Sequence, residues 1–273
     1  MFIKRGEIER LSADVRRIID GQKVDLRDNV EGRLSILKND IYTLAGRLNE
    51  QADILQKEKA TLAAMLADIS HQLKTPLTAM MVMAELLEGA PPEKSAEFIA
   101  HLKQGLTQTG WLVNALLKMA KLDSGSVQFN PVGTTAVELV EMALQPLHVL
   151  LDIKAQQIKI TGDAVIHCDK NWTAEALTNI IKNASEHSPP GSVIQINAGE
   201  NPLTRWISVT DAGQGLLPAQ IKGLFKRFGG TGQGTGIGLP LALTIMQGQN
   251  GDIEVDGGGK GGGATFTCKF YVK

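Results

Sequence analysis

Apolar residues recur every seven positions along the first third of the chain. The row consists of Leu34, Ile41, Leu48, Leu55, Leu62 and Ile69, with Leu37, Leu44 and Met65 three residues after three of its members. Such a heptad seam predicts a helix that packs along its length against a partner helix. We expect one helix from about Glu31 to Glu88, ended by Gly89 and the prolines that follow it.

A second apolar pattern with helical spacing follows these prolines. It runs from Glu93 to Leu122, and Asp123-Ser124-Gly125 supplies a helix stop. Two antiparallel helices joined by a short turn leave apolar stripes uncovered, so we expect two copies of the chain to form a four-helix bundle. Ahead of this hairpin, residues 1–30 predict a short helix and a charged connector.

The pattern changes after Gly133, where alternating runs typical of strands are mixed with helical ones. The expected helices cover 136–151, 171–187, 218–225 and 237–249, and the expected strands cover 157–161, 164–168, 193–198, 206–211, 252–256 and 264–271. Because the two kinds of element do not alternate strictly, we predict an α+β fold with a mixed sheet and helices on one face. The chain thus divides into a connector (1–30), a helical hairpin (31–126) and an α/β-sandwich domain (127–273).

Composition narrows the classes of function. The 273 residues carry 28 Lys and Arg against 29 Asp and Glu, so no overall field favours nucleic acid as a partner. Cys168 and Cys268 form no CxxC pair, which argues against a disulfide framework or a zinc site. No apolar run reaches the ~18 residues that a membrane helix needs, and the charged start of the chain is not typical of a signal peptide.

One histidine of the heptad helix is placed to face outward. His71 follows the core position Ile69 by two residues, which turns it roughly 200° around the helix. Pro76 cannot donate to the carbonyl of Gln72, so we expect a kink or a loosened turn just after the histidine. The same pattern would fit a solvated surface histidine on a coiled coil.

Two asparagines share one face of the predicted helix 171–187. Asn179 and Asn183 are four residues apart. Amide oxygens can ligate a hard cation such as Mg²⁺, which in turn bridges nucleotide phosphates. Two solvated asparagines on a surface helix would have the same spacing.

The string Asp211-Ala212-Gly213-Gln214-Gly215 closes a predicted strand. A carboxylate there can accept the amino hydrogen of adenine, and Gly213 and Gly215 let the backbone approach a flat base closely. A simple turn explains the string equally well.

Basic and glycine-rich segments follow. Lys226 and Arg227 stand between apolar residues, as a lid over phosphates requires, and the run 229–238 has six glycines in ten residues and leads into a helix. Backbone N–H groups at a helix start bind phosphate oxygens and gain from the helix dipole. A further glycine-rich loop, 257–263, lies between two predicted strands and is expected to be a hairpin connection.

The motifs in this order resemble those of sensor histidine kinases of two-component systems. The string from His71 to Pro76 is similar to their phosphoacceptor box, except that Gln72 replaces an acidic residue. Residues 134–272 resemble the ATP-binding domain that these kinases share with gyrase-type, mismatch-repair and chaperone ATPases.

The resemblance implies roles for the nucleotide-site residues. It implies that Asn183 is the Mg²⁺ ligand and that Asn179 supports it. It also implies that Asp211 binds adenine. Gly234, Gly236 and Gly238 match the second glycine box of the family. Where many members have a Lys or Arg, this chain has Glu186, so that Lys182 or Lys226 would have to supply a phosphate contact.

The implied function is that of a homodimeric kinase. His71 takes the γ-phosphoryl group of Mg·ATP and passes it to an aspartate in the receiver domain of a response regulator, while Thr75 matches the place where the family positions a water for dephosphorylating the regulator. The resemblance also implies a membrane-sensing segment upstream of Met1 and a location at the cytoplasmic face of a membrane.

Two other functions remain open at this point. One is a signalling scaffold or pseudokinase that binds ATP without transfer. The other is a chaperone-like or topoisomerase-like ATPase, against which Asn179 argues, because hydrolysing relatives have a glutamate there as general base for water.

Overall fold

The structure, a computed structural model, describes residues 5–19, 22, 24–26, 33–229, 236–258 and 262–272. The chain forms two compact units, residues 1–69 and 70–273. None of the described helices combines the length and the apolar character that crossing a bilayer requires.

Three helices form the amino-terminal part of the chain: α1 (Arg5–Ile19), α2 (Arg33–Leu87) and α3 (Pro92–Asp123). Proline is well placed at the start of α3, where its missing N–H would have no helical partner. At the other end of α3, Ser124 donates its N–H to the carbonyl of Ala120, and Gly125 takes a φ of 65°. The predicted helical hairpin is confirmed.

The heptad row of α2 lies largely uncovered in the single chain. Leu48, Leu55 and Leu62 expose 57%, 64% and 57% of their surface, respectively. Leucines at this spacing bury their side chains only against another helix. The first unit therefore has an apolar seam on α2 that its own described residues leave exposed.

Pro76 lies inside α2, and the kink or loosened turn expected after His71 stays a prediction. The helix is continuous from Arg33 to Leu87, and the hydroxyl of Thr75 donates to the carbonyl of His71 over 3.2 Å. Because proline has no N–H, the carbonyl of Gln72 receives no helical hydrogen bond from Pro76.

The remaining elements form an α/β domain. They are β1 (Val132–Thr135), α4 (Ala136–Leu144), a 3₁₀ turn (Gln145–Leu147), α5 (His148–Ile153), β2 (Gln157–Thr161), β3 (Val165–Cys168), α6 (Lys170–His187), β4 (Val193–Glu200), β5 (Thr204–Thr210), α7 (Pro218–Ile221), α8 (Gly238–Gly248), β6 (Gly251–Asp256) and β7 (Thr265–Tyr271).

Five of these strands form a mixed sheet in the order β2-β4-β5-β7-β6. β2 is parallel to β4, with Ile158 opposite Ile194, and the other neighbours are antiparallel. A separate two-stranded ribbon pairs β1 with β3. The predicted mixed sheet is confirmed.

Helices α4, α6 and α8 pack together, and α6 and α8 also contact the large sheet. The buried side of the sheet alternates along each strand, as in Ile194 and Ile196 of β4 or Phe266 and Cys268 of β7. Helices α6 and α8 therefore bury their apolar stripes against the large sheet. This packing fixes the position of the candidate site residues that the two helices carry.

Two helices were predicted with the wrong bounds, and one strand was missed. The helix expected over 136–151 breaks at residues 145–147, because Pro146 has no N–H for the helical ladder. The helix expected over 218–225 ends at Ile221. β1 was not predicted, since its four residues, VGTT, carry a single large apolar side chain.

Candidate nucleotide site and phosphoacceptor helix

The asparagine pair lies on α6, which begins with a strong cap. The carboxylate of Asp169 accepts the N–H groups of Asn171 and Trp172, both over 3.1 Å. Ten and fourteen residues further on, Asn179 is buried at 4% exposure and Asn183 is half-buried. They share a face, as the spacing predicts.

Asn179 has an unsatisfied oxygen. Its Nδ2 donates to the carbonyl of Glu175 over 2.8 Å, but its buried Oδ1 has no hydrogen-bond partner among the described residues. A buried acceptor left without a donor costs about 1–3 kcal/mol. A hard cation with its bound waters would satisfy such an oxygen, so this face of α6 fits a Mg²⁺-bound nucleotide.

The first residue of α8 lies against this oxygen. A Cβ atom at Gly238 would be 2.8 Å from Oδ1 of Asn179, so any larger residue there would have to displace the asparagine side chain. The start of α8 also directs backbone N–H groups outward. A helix start and an unpaired amide oxygen thus meet at one point, as a phosphate and metal site requires.

Asp211 organises the turn after β5. Its Oδ1 accepts the N–H of Gly213 over 2.8 Å and the N–H of Ala264 over 3.0 Å. Its side chain is buried, and both bonds end on the same oxygen, which leaves Oδ2 as the acceptor for a ligand. A Cβ atom at Gly213 would lie 2.8 Å from the carbonyl oxygen of His187, which accounts for glycine there, and Gly215 takes a φ of 75°.

A buried polar clamp connects the two ends of the site. Nε2 of Gln156 donates to the carbonyls of Ser185, Ser188 and Pro189, each over 3.1 Å, and its Oε1 accepts the hydroxyl of Ser185 over 2.6 Å. The hydroxyl of Ser188 in turn accepts the N–H of Ala212 over 3.0 Å. The clamp therefore fastens the end of α6 to the turn that contains Asp211.

A backbone hydrogen bond joins Phe228, just before the glycine-rich run, to Gly236 within it. Phe228 takes a φ of 60°, unusual for a bulky residue, and donates its N–H to the carbonyl of Gly236 over 3.0 Å. Gly236 itself has a φ of 66°. Gly234, also assigned to the second glycine box, lies outside the described residues.

The candidate phosphate-binding cations have different environments. Lys226 is exposed, whereas the guanidinium of Arg227 makes two 2.8 Å hydrogen bonds to the carboxylate of Asp123 at the end of α3. On α6, Nζ of Lys182 lies 3.9 Å from the ring centroid of Trp111. Burial lowers the pKa of Lys182, and the charge of the nearby Glu186 works in the opposite direction.

The phosphoacceptor candidates lie on α2, apart from these groups. His71 and Thr75 are exposed and line a shallow groove with five other α2 residues, namely Lys74, Thr78, Ala79, Val82 and Met83. Gln72 is half-buried. No nucleotide-site residue is among those that line the groove, so the structure gathers the asparagines, Asp211 and the glycines in one domain and His71 on the hairpin.

Three residues in these contacts were not singled out from the sequence. Gln156 was unremarkable at a strand start, and Trp111 was one of several apolar residues on a helix. Asp123 was noticed only as part of a helix stop. Their roles depend on contacts between residues far apart in the chain, for which the local sequence has no signal.

Two family matches cover these two regions. Residues 61–125 match the His Kinase A (phospho-acceptor) domain, and residues 168–273 match the family described as histidine kinase-, DNA gyrase B- and HSP90-like ATPase. The chain belongs to the sensor histidine kinases of two-component systems.

Curated relatives of this histidine kinase chain are considerably longer. It is 25% identical over 222 residues to the signal transduction histidine-protein kinase BaeS of Escherichia coli, covering 80% of this chain and 47% of BaeS. It is 31% identical over 185 residues to the sensor protein KdpD of Escherichia coli, covering 66% of this chain and 20% of KdpD. The chain thus spans less than half the length of either relative.

A solved structure shares the fold of this histidine kinase chain. Histidine kinase ThkA, determined in complex with response regulator protein TrrA, has a TM-score of 0.66 at 17% identity, over 82% of this chain and 66% of that one. At this identity the likeness extends to the fold alone.

Proposed function

We propose that this chain is an ATP-dependent protein-histidine kinase that phosphorylates His71 and passes the phosphoryl group to an aspartate of a response-regulator receiver domain. The observation that carries the proposal is the unsatisfied Oδ1 of Asn179 on α6, which lies against the first residue of α8 in the same chain as an exposed histidine on α2. Mg·ATP supplies the phosphoryl group. The domains proposed for these roles are the hairpin over 31–126 and the nucleotide domain over 127–273, with a connector over 1–30.

The nucleotide domain binds and orients in this proposal. Asp211 accepts the amino hydrogen of adenine through Oδ2, while Asn183 is a Mg²⁺ ligand and Asn179 supports it. The backbone at Gly213 and Gly215 lies along the base, and Gly234, Gly236 and Gly238 open the helix start to phosphate. Positioning and charge neutralisation account for most of the catalysis of phosphoryl transfer, so these groups matter more than a covalent role.

His71 is the nucleophile. Its neutral imidazole nitrogen forms the N–P bond as the bond between the γ-phosphorus and the bridging oxygen breaks, and ADP leaves. Gln72 can orient the ring but cannot take its proton. Thr75, exposed one turn away, is proposed to position the water that dephosphorylates the regulator.

Dimerisation completes the hairpin. The second unit leaves Leu77 and Met81 of α2 and Leu117 of α3 exposed at 48%, 65% and 58%, respectively, in addition to the heptad row of the first unit. A second copy of the chain would cover such stripes in a four-helix bundle. Membrane association of the whole protein stays a prediction from the resemblance.

Labelling with γ-³²P-ATP tests the reaction. We expect acid-labile, base-stable label on the protein, lost in His71→Ala while nucleotide binding is retained. Released phosphate without label would indicate an ATPase, and neither product would indicate a scaffold. Equal labelling of His71→Ala would contradict the choice of acceptor.

A further inference from the structure

A glutamine side chain holds each end of α6. At the carboxyl end, Gln156 forms the buried polar clamp with Ser185 and Ser188. At the amino end, Oε1 of Gln249 accepts the N–H of Asp169 over 2.6 Å. The helix has 18 residues, so its two ends lie roughly 27 Å apart at ~1.5 Å per residue. The two glutamines therefore secure different parts of the domain.

Lys154 adds to the clamp at the carboxyl end. Its Nζ donates to the carbonyl of Ser185 over 2.6 Å and to that of Glu186 over 3.5 Å, and its own carbonyl accepts the N–H of Gly191 over 2.8 Å. The next residue, Ala155, takes a φ of 51°, which is uncommon for a residue with a Cβ atom. Strain of this kind persists where the surrounding contacts hold it, and it is concentrated at functional sites.

The end of α6 also supports the turn that contains Asp211. The hydroxyl of Ser188 accepts the N–H of Ala212 over 3.0 Å. A Cβ atom at Gly213 would lie 2.8 Å from the carbonyl oxygen of His187, so the turn packs directly on the last residue of the helix. Both contacts are made by residues next to Asp211 or two positions from it. The place of its Oδ2, the proposed acceptor for adenine, therefore depends on where the clamp holds the end of α6.

The phosphate end of the proposed site is built from other contacts. Asn179 lies about two turns before the end of α6, and its Oδ1 lies against Gly238, where α8 begins. The described side-chain bonds of Gln156 go to residues 185–189. A change in the clamp should therefore reach the base and leave the phosphates in place.

We propose that Gln156 is a positioning residue for base selectivity, which acts through Ser188 and favours adenine over a purine with an oxygen at position 6. This inference rests on the proposed nucleotide site. Oδ2 of Asp211 accepts a hydrogen bond from the 6-amino group of adenine, whereas the 6-oxo group of hypoxanthine would present a second acceptor to it. Two facing acceptors exclude the wrong base only while the carboxylate is kept from turning away, and the clamp keeps it there.

The affinities for ADP and for inosine diphosphate, measured by calorimetry without Mg²⁺, test this role because the two bases differ at position 6. Gln156→Met keeps the length of the side chain and removes its hydrogen bonds. It should lower the preference for ADP about threefold to thirtyfold, a part of the ~10- to 150-fold that a whole hydrogen bond to a charged group supplies. The loss should lie in the affinity for ADP, with little change for inosine diphosphate.

Gln249→Met is the matched control. It makes the same change of side chain at the opposite end of the same helix, where Gln249 also donates through Nε2 to the hydroxyl of Thr173 over 3.3 Å. This variant loses buried hydrogen bonds far from Asp211, so it should keep the wild-type ratio of the two affinities. An equal fall of the ratio in both variants would mean a general loosening of the domain and would refute a positioning role for Gln156.

Ser188→Ala tests the connection to Asp211 separately. It removes the acceptor for the N–H of Ala212 while Gln156 stays in place, and it should lower the same ratio. The double variant Gln156→Met/Ser188→Ala should lower the ratio no further than the stronger single variant, because the two residues act in series. A thermal unfolding scan shows which variants are folded, and Ser188→Ala decides the matter if Gln156→Met is not.

The outcomes separate this inference from the function on which it rests. If wild type binds no adenine nucleotide, the nucleotide site itself is wrong. If wild type binds ADP and inosine diphosphate equally tightly, the positioning role is refuted, and labelling of His71 decides the kinase proposal independently. If wild type prefers ADP, and folded Gln156→Met and Ser188→Ala both keep that preference, the positioning role is refuted while the kinase proposal stands.

Discussion

Replacing Asp211 by asparagine should separate the structural role of this side chain from its role in binding. In the folded chain Oδ1 accepts two N–H groups, from Gly213 and Ala264. Only an oxygen can accept them, so the introduced amide should keep its oxygen there and place its NH₂ group where Oδ2 was. The fold should retain both bonds, and the ligand should meet a donor in place of an acceptor.

The magnitude follows from the bond that is lost. A hydrogen bond to a charged group contributes about 1.5–3 kcal/mol, so Asp211→Asn should weaken ADP about 10- to 150-fold. By contrast, Asp211→Ala leaves the buried N–H of Ala264 without its partner, at about 1–3 kcal/mol, together with the part-buried N–H of Gly213, and should lower stability as well.

Calorimetry with ADP in the absence of Mg²⁺ measures nucleotide binding without its metal-dependent part, and thermal unfolding without ligand measures the fold. We expect Asp211→Asn to unfold near the wild-type temperature with weak ADP binding, and Asp211→Ala to lose both. Wild-type ADP affinity in a folded Asp211→Asn variant would show that adenine is not bound here.

Three further predictions concern the metal, the proton and a buried thiol. Asn183→Ala should remove chiefly the Mg²⁺-dependent part of ATP affinity, measured by calorimetry with and without the metal; an intact dependence would mean that the ligand lies elsewhere. Gln72→Glu restores a group that can take the proton of the attacking imidazole, and should leave autophosphorylation intact or raise it by up to ~10²-fold. If Asp68 already serves as that base, Asp68→Asn should slow labelling strongly and Gln72→Glu should do little, whereas a strong loss in Gln72→Glu would reveal a positive role for the amide. Burial raises the pKa of Cys268 from 9.0 to about 12. The unfolded chain can therefore release this proton where the folded chain cannot, and the free energy of unfolding should fall between pH 9 and about 12. Urea unfolding of wild type against Cys268→Ala checks this, because the variant should lose that part of the pH dependence.

The elements that could be predicted are those with a local signal. The heptad row of α2 and the stop at Ser124 and Gly125 depend on near neighbours in the chain, and the structure has the hairpin where they indicate. Asn179 and Asn183 share a face simply because they are four residues apart on a helix.

What could not be predicted depends on distant contacts. Gln156 precedes the residues that it holds by about 30 positions, and Trp111 precedes Lys182 by about 70. Neither pairing has a spacing rule, because the topology of the sheet and the docking of α3 bring these residues together. Pro146 is a local signal for a helix break, but the apolar periodicity continues across it and predicts a single helix.

The clamp at Gln156 has a consequence for anyone who builds chimeric kinases. The chain leaves the clamp at Gln156, runs through β2, β3 and α6, and returns to it at Ser188, whose hydroxyl accepts the N–H of Ala212. A splice point between residues 156 and 185 would therefore join a glutamine from one parent to a helix end from another, and one between residues 188 and 212 would separate the two partners of the Ser188–Ala212 bond. A splice point ahead of β1 keeps all of the clamp in one parent, so residues 156–212 are best exchanged as a single unit.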